Sequence, residues 1–229
     1  MDRNSAYKLN TVGDDVYELM KREILNLSIK PGTMVTEQVI CEKYNISRTP
    51  SRHVLQRLRD EGLIFSIPYK ASYVSLLDLD SIKQLIYMRT AIESKVIKDA
   101  ISLNHEDLIT RLERSLRKQE ELLSKDFSPE EFYEMDSEFH ENWFIETDKL
   151  IVWQEIQKLL VHYTRFRMLD IVVVKNFYAI FEEHKELVRI IRETRTQDVD
   201  DMITKHLYGG IERLGDRISG EYRDYFIEA

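Results

Sequence analysis

Between Gly62 and Gly209 the chain has no glycine, and past Pro68 its one remaining proline is Pro129. A stretch that long, rich in Leu, Ile, Glu, Lys and Arg and almost free of helix breakers, has few options other than packed helices. The start of the chain is the opposite, with Pro31, Pro50, Pro68, Gly13, Gly32 and Gly62 punctuating it. The punctuation divides the 229 residues into a flexible arm (1–10), short elements with sharp turns (11–77), a linker (78–80) and a helical bundle (81–229). Two domains of that size can bury cores without disulfides. Charge divides at the same place: residues 1–78 carry 11 Lys and Arg against 10 Asp and Glu, and the remainder carries 22 against 31. The net charge of −8 therefore belongs to the second part and excludes a protein coated in basic charge. Cys41 is the only cysteine, so no intramolecular disulfide can form. No apolar run approaches the roughly 18 residues of a membrane span. The first ten residues lack the apolar core of a secretory signal, and a cytoplasmic protein is expected.

In the first part, Val16, Leu19, Met20, Ile24 and Leu27 recur at helical spacing and predict a helix over 11–27. Lys30-Pro31-Gly32 makes a turn, and Thr36 can cap a short helix through Tyr44. Thr49 before Pro50 suits an N-cap and first helical position, and Gly62 suits the residue after the same helix. Two β-type runs, 63–67 and 73–76, flank a turn at 68–72. Helix, helix, tight turn, helix, hairpin is the order of a winged helix-turn-helix. Val54, Leu55 and Leu58 point inward from the third helix, leaving Arg48, Thr49, Ser51 and Arg52 at its N-terminal end and Arg57 and Arg59 further along. Recognition helices present that end to the major groove, where arginine can grip guanine O6 and N7 and Ser or Thr can bond phosphate. Six basic residues between Lys43 and Lys70 face only Asp60 and Glu61, which supplies the positive face that DNA binding needs.

The run Asn45-Ile46-Ser47-Arg48-Thr49-Pro50-Ser51-Arg52-His53-Val54-Leu55-Gln56-Arg57-Leu58-Arg59, continuing to Ile64, resembles the DNA-binding signature of the GntR family of bacterial transcription regulators. The resemblance covers roughly residues 11–77 and implies DNA contacts by Arg48, Thr49 and Arg52, with Ser47, Gln38 and Lys70 beside them. Gln38 stands where many members have Arg, His53 where they have Glu, and Tyr69-Lys70-Ala71 where the wing has glycines.

In the second part six amphipathic segments are expected, at 81–101, 105–125, 129–147, 149–169, 176–194 and 197–219, packing antiparallel through short loops. The β-prone run Ile171–Val174 is expected to be a buried connection, and Arg223–Ala229 a loose end. Asp136 and His140 share one helix face, His184 lies among Phe181, Leu187, Val188 and Ile191, and His206 continues the stripe Val199, Met202, Ile203. Three histidines and an aspartate pointing inward from three helices suit Zn, Ni, Mn or Fe. Hydrogen-bonded core histidines would give the same pattern.

Leu77 and Leu79, then Tyr87-Met88-Arg89-Thr90-Ala91-Ile92-Glu93, Asp136-Ser137-Glu138-Phe139-His140, Glu183-His184 and Lys205-His206 are similar to the FadR-type C-terminal effector domain of the same family. In its metal-binding members an Asp and three His hold a divalent metal beneath a carboxylic-acid pocket. The resemblance implies that role for Asp136, His140, His184 and His206, with zinc the first expectation, and an effector contact by Arg89. Tyr163 and Arg165, with Arg167 nearby, are further pocket candidates, of which one or two are expected to face solvent. The implied protein is not an enzyme. It is a homodimeric regulator, a repressor, on a pseudo-palindromic double-stranded operator, answering to a small carboxylic acid and unconnected with membranes. Two alternatives stay open: a metal-dependent hydrolase tethered to DNA, and a dimeric DNA-binding protein without an effector.

Overall fold

A computed structural model describes residues 12–228 except 69, 104, 105 and 160, so the arm at 1–10 and the wing residue Tyr69 lie outside the described residues. The chain is mainly helical and forms two compact units divided between Leu76 and Leu77.

The N-terminal unit is a winged helix-turn-helix: α1 (Val12–Leu25), β1 (Met34–Val35), α2 (Glu37–Tyr44), α3 (Arg48–Asp60), β2 (Ile64–Ser66) and β3 (Ser72–Val74). Val16, Tyr17, Met20 and Ile24 of α1 meet Val54, Leu55 and Leu58 of α3 in its core. Thr36 Oγ1 accepts from the amide of Val39 at 3.2 Å and starts α2. The third helix begins earlier than the Thr49-Pro50 pair suggested. Ser47 is the N-cap and Arg48 already helical, with Pro50 tolerated in the first turn because its missing N–H would have no partner there. Gly62, at φ 71°, closes α3: its amide bonds the carbonyl of Arg59 at 2.9 Å and that of Leu63 bonds Leu58 at 2.9 Å. The sheet order is β1-β3-β2, all antiparallel. β1 was not expected, since two residues are too short to show a period.

The second unit is a helical bundle: α4 (Leu79–Leu103), α5 (Glu106–Leu123), α6 (Pro129–Glu146), α7 (Leu150–Leu159), α8 (Val161–Val174), α9 (Phe177–Arg192) and α10 (Val199–Leu214). Asp78 Oδ1 accepts from the amides of Asp80 and Ser81, at 3.0 and 3.3 Å, and so starts α4 directly after the unit boundary. Ser128 and Glu131 form a capping box around Pro129 at the head of α6. The expected segment 149–169 is described as α7 and α8, and Ile171–Val174 is the last turn of α8 rather than a connection. Periodicity cannot separate a buried helix from a strand, and α8 is buried at Tyr163 and then from Arg165 through Ile171 without a gap. That enclosure also overturns the expectation that one or two of Tyr163, Arg165 and Arg167 face solvent: all three are buried. The C-terminal tail is not loose throughout. Phe226 is buried and bridges to Leu77, whose amide donates to the carbonyl of Tyr225 at 2.8 Å.

Candidate metal centre and nucleic-acid interface

Three helices of the bundle bring chemistry to one point. Asp136 and His140 stand one turn apart on α6, His184 lies in the apolar stripe of α9, and His206 in that of α10. One donor atom from each of the four lies within 4.8 Å of the other three. All four side chains are buried, none more than 3% exposed. His140 Nε2 and His206 Nε2 are 3.0 Å apart, and His184 Nε2 stands 3.3 Å from Asp136 Oδ1.

The outward nitrogens are already engaged. His140 Nδ1 meets Glu93 Oε2 at 2.5 Å, His184 Nδ1 meets Gln119 Oε1 at 2.8 Å, and His206 Nδ1 meets Glu183 Oε2 at 2.8 Å. An acceptor at each Nδ1 assigns the proton there and turns the Nε2 lone pair of a neutral ring inward. Two such lone pairs then face each other at 3.0 Å between His140 and His206. His184 Nε2 is buried with no hydrogen-bond partner. Buried acceptors are not left in that arrangement without a compensating group, and a cation among them relieves both defects. The residues present therefore fit a divalent metal.

Electrostatics agree with the donor set. Burial pushes the His184 imidazole down to about 4 and holds His206 well below its ordinary value, so both are neutral near pH 7. Burial would raise Asp136, but the Arg167 charge beside it holds its carboxyl well below the usual carboxylate range. Neutral imidazoles with one carboxylate suit Zn, Ni, Mn or Fe.

A ring of alternating charges closes behind the site. Arg167 donates to Asp136 Oδ1 at 3.4 Å and to Asp170 Oδ2 at 2.7 Å. Asp170 also accepts from Arg213 Nη2 at 2.7 Å, and Arg213 Nη1 stands 3.9 Å from Glu183, the carboxylate that holds His206. This crossing ends the long glycine-free run. A Cβ at Gly210 of α10 would lie 3.3 Å from both Asp170 Oδ2 and the Phe166 ring, so glycine lets α10 close onto α8.

In the N-terminal unit, Ser47, Arg48, Thr49 and Arg52 are exposed around the start of α3, as are Gln38 on α2 and Lys70 in the β2–β3 turn. Gln38 donates to Glu42 Oε1 at 2.8 Å, and Arg52 Nε to Glu37 Oε1 at 2.8 Å. Ser51, expected near DNA, is fully buried, and its hydroxyl donates to the carbonyl of Glu37 at 3.1 Å, fastening α3 to α2. Arg57 also leaves the basic face: it lies 3.5 Å over the Tyr17 ring and pairs with Asp14 at 2.7 Å.

Comparison with known proteins gives this geometry its family. Residues 84–209 match the FCD domain and residues 13–74 match the bacterial regulatory proteins of the gntR family. The chain belongs to the gntR family, with an FCD domain. Along 217 residues it is 26% identical to the HTH-type transcriptional repressor RspR of Escherichia coli, covering 95% of this chain and 94% of that one. The Bacillus subtilis regulator YdhC is 21% identical over 93% of each chain. The E. coli McbR/YncC structure shares the fold at a TM-score of 0.67 and 16% identity, over 93% of this chain and all of that one.

Members of the gntR family are transcription regulators and not enzymes, which sets the tethered hydrolase aside. Within the FCD domain, the structure brings Arg89 and Tyr163 together: the guanidinium lies 5.4 Å from the tyrosine ring and 5.7 Å from that of Trp153. Arg89 also pairs with Glu93, the partner of His140, so it is tied to the cluster through one carboxylate. Arg165 is fully buried, and burial pushes its guanidinium down to about 10. His162 is not among the four clustered residues.

Sequence reasoning missed Gln119, Glu183 and Glu93 as parts of the site, and it offered Arg167 as a pocket candidate without its pairing to Asp136. Gln119 carried a signal, since it occupies the buried stripe Leu108, Leu112, Ser115, Gln119, Leu122 of α5. Glu93 likewise follows Arg89 by one turn on the buried face of α4.

The depressed His184 value predicts a pH dependence for the metal-free protein. Below about pH 6.5 the unfolded chain takes up a proton that the folded imidazole refuses until about 4. Stability is therefore full above pH 6.5 and falls with decreasing pH, by about 2 kcal/mol at pH 5 from this group alone. Urea unfolding of chelator-treated protein at pH 7.5 and pH 5 checks it; equal stability at the two values would contradict the buried neutral ring.

Proposed function

We propose that this gntR-family chain is a cytoplasmic repressor that releases its operator when a small carboxylic acid binds at a divalent metal in the FCD domain. The observation that carries the proposal is the convergence of four buried donors, with each imidazole fixed by a partner at its other nitrogen. Asp136, His140, His184 and His206 would hold the ion, zinc first by donor type, and the ion supplies a positive centre that a carboxylate oxygen can bind. Glu93, Gln119 and Glu183 orient the three rings. Arg89, carrying a second positive charge next to the cluster, suits a carboxylate through its fork geometry, and Tyr163 and Arg165 are further pocket residues.

On the DNA side, Arg48 and Arg52 read bases, while Thr49, Ser47, Gln38 and Lys70 hold phosphates or groove edges. The similarity to a relative named a transcriptional repressor supports the polarity. A homodimer would set two recognition helices on the half-sites of a pseudo-palindrome. Ligand control requires only that the acid contact the two DNA-affinity states differently.

The test is fluorescence anisotropy of metal-loaded protein on an operator fragment, titrated with a panel of small mono- and dicarboxylic acids. At least one acid is expected to weaken binding by roughly tenfold or more, within the usual range of coupling, and to lose this effect in His140→Ala. Tighter binding with acid would contradict the repressor polarity, and equal release from His140→Ala would contradict control through the metal.

A further inference from the structure

Beside Arg52, on the proposed DNA-facing surface, stands an acidic side chain where a phosphate-binding face should avoid it. Glu37 opens α2, is half-exposed, and aims its carboxylate at Arg52 of α3. Two contacts hold this pair in place. The buried hydroxyl of Ser51, next in the chain to Arg52, donates to the Glu37 carbonyl at 3.1 Å, and Arg52 Nε donates to Glu37 Oε1 at 2.8 Å. The main chain of Glu37 is thus fixed to the residue beside Arg52 before the side chains meet.

What the carboxylate occupies decides what the guanidinium can still do. With Nε engaged by Glu37, the end-on edge formed by the two Nη groups points away from the pair. That edge is a two-donor fork, the match for O6 and N7 of a guanine in the major groove. A free arginine in the same place loses about 2 kcal/mol of rotamer freedom when it is fixed, and it can also slide to any nearby phosphate. A negative charge beside it opposes the phosphate option and leaves the base option intact.

We propose that Glu37 is a specificity-determining positioning residue: it holds Arg52 for a guanine and withholds it from the DNA backbone. The inference rests on the proposed role of Arg52 in reading the operator. Glu37 itself touches no base in this scheme, and acts only through Arg52.

The experiment is selection from a random double-stranded DNA library with the full-length wild type and with Glu37→Ala, Glu37→Gln and Arg52→Ala. It is followed by titration of the enriched sequence and a scrambled one at several salt concentrations. For Arg52→Ala the preference for guanine at one position per half-site is expected to vanish, with a discrimination loss of about ten- to a hundredfold. Glu37→Ala should lose the same preference at the same position while gaining affinity for scrambled DNA and a salt slope steeper by about one phosphate per protomer. Glu37→Gln keeps an oxygen that can accept from Nε, and should keep the guanine preference while binding scrambled DNA more tightly. A general packing role for Glu37 would lower affinity for all sequences alike and would not be rescued in this pattern. If Arg52→Ala loses the guanine but Glu37→Ala retains it with an unchanged specific-to-scrambled ratio, the role of Glu37 is overturned and that of Arg52 stands. If Arg52→Ala keeps the wild-type preference, Arg52 does not read the operator and both fall.

Discussion

Replacing His184 with alanine is expected to remove the metal from the FCD domain. Wild-type protein purified with added zinc should carry one equivalent per chain, and His184→Ala should carry almost none after gel filtration. His184 is the sharpest choice because its Nε2 has no hydrogen-bond partner in the buried centre. The substitution therefore removes a metal donor without breaking a bond at that nitrogen. The loss should also appear in stability. Zinc at a thousand times its dissociation constant adds about 4 kcal/mol to the folded state, which for a unit of this size raises Tm by roughly 10 °C. His184→Ala should lose that increment. Glu93→Gln, Gln119→Ala and Glu183→Gln, which disturb only the outer partners of the rings, should keep the metal with affinity weakened about ten- to a hundredfold. Metal content and chelator competition measure both effects. Full zinc occupancy in His184→Ala would mean that His184 is not a ligand, and a wild type that takes up no zinc would mean the four side chains are a hydrogen-bonded core and not a metal centre.

Asp170→Ala is expected to be the most damaging single change to stability in the helical unit. Asp170 is 1% exposed and accepts from both Arg167 and Arg213, and Arg167 is itself only 4% exposed. Removing the carboxylate leaves two guanidinium groups facing each other beside Gly210, one of them without solvent. Breaking one partner out of a buried ion pair costs about 3–5 kcal/mol, because the remaining charge stays desolvated. Asp136 alone cannot absorb this charge, since it stands 3.4 Å from Arg167 and is also turned toward His184. Urea unfolding followed by far-ultraviolet circular dichroism should show the loss in metal-free protein, so that changes in zinc affinity do not enter. A cost below about 1 kcal/mol, the value of an exposed pair, would mean that Asp170 is hydrated and that the charge ring is not closed.

How far the sequence discloses this molecule depends on which physical signal each part emits. The bundle announces itself through missing breakers, and the recognition helix through a block of residues whose identity is constrained by both core and DNA. The four clustered donors are visible because histidines and an aspartate interrupt otherwise apolar stripes at helical spacing. The groups that orient them are harder to see. Glu183 belongs to a residue type that usually marks a solvated face, and only its three-dimensional partner, His206, reveals it. Arg165 and Arg167 are two apart, which on a surface helix sends one of them outward. Both are buried because neighbours enclose the middle of α8, from Arg165 to Ile171, on every side, and that is a property of the bundle rather than of the helix. Ser51 misled for a related reason: a hydroxyl at the head of a recognition helix suits phosphate equally well as it suits the carbonyl of Glu37, and only packing chooses. The buried Phe226 depends on a single strand-like bridge to Leu77, more than a hundred residues away, for which no local pattern exists.

The measurement closest to the central claim is selection of sheared genomic DNA from the source organism by metal-loaded full-length protein at moderate salt, followed by sequencing of what it retains. A sequence-specific regulator with two recognition helices should enrich a short pseudo-palindrome, and substitution of Arg48 by alanine should abolish the enrichment. Recovery of no common sequence by the wild type, with or without added zinc, would contradict the assignment of α3 as a base-reading helix. It would also leave the metal centre without the output proposed for it.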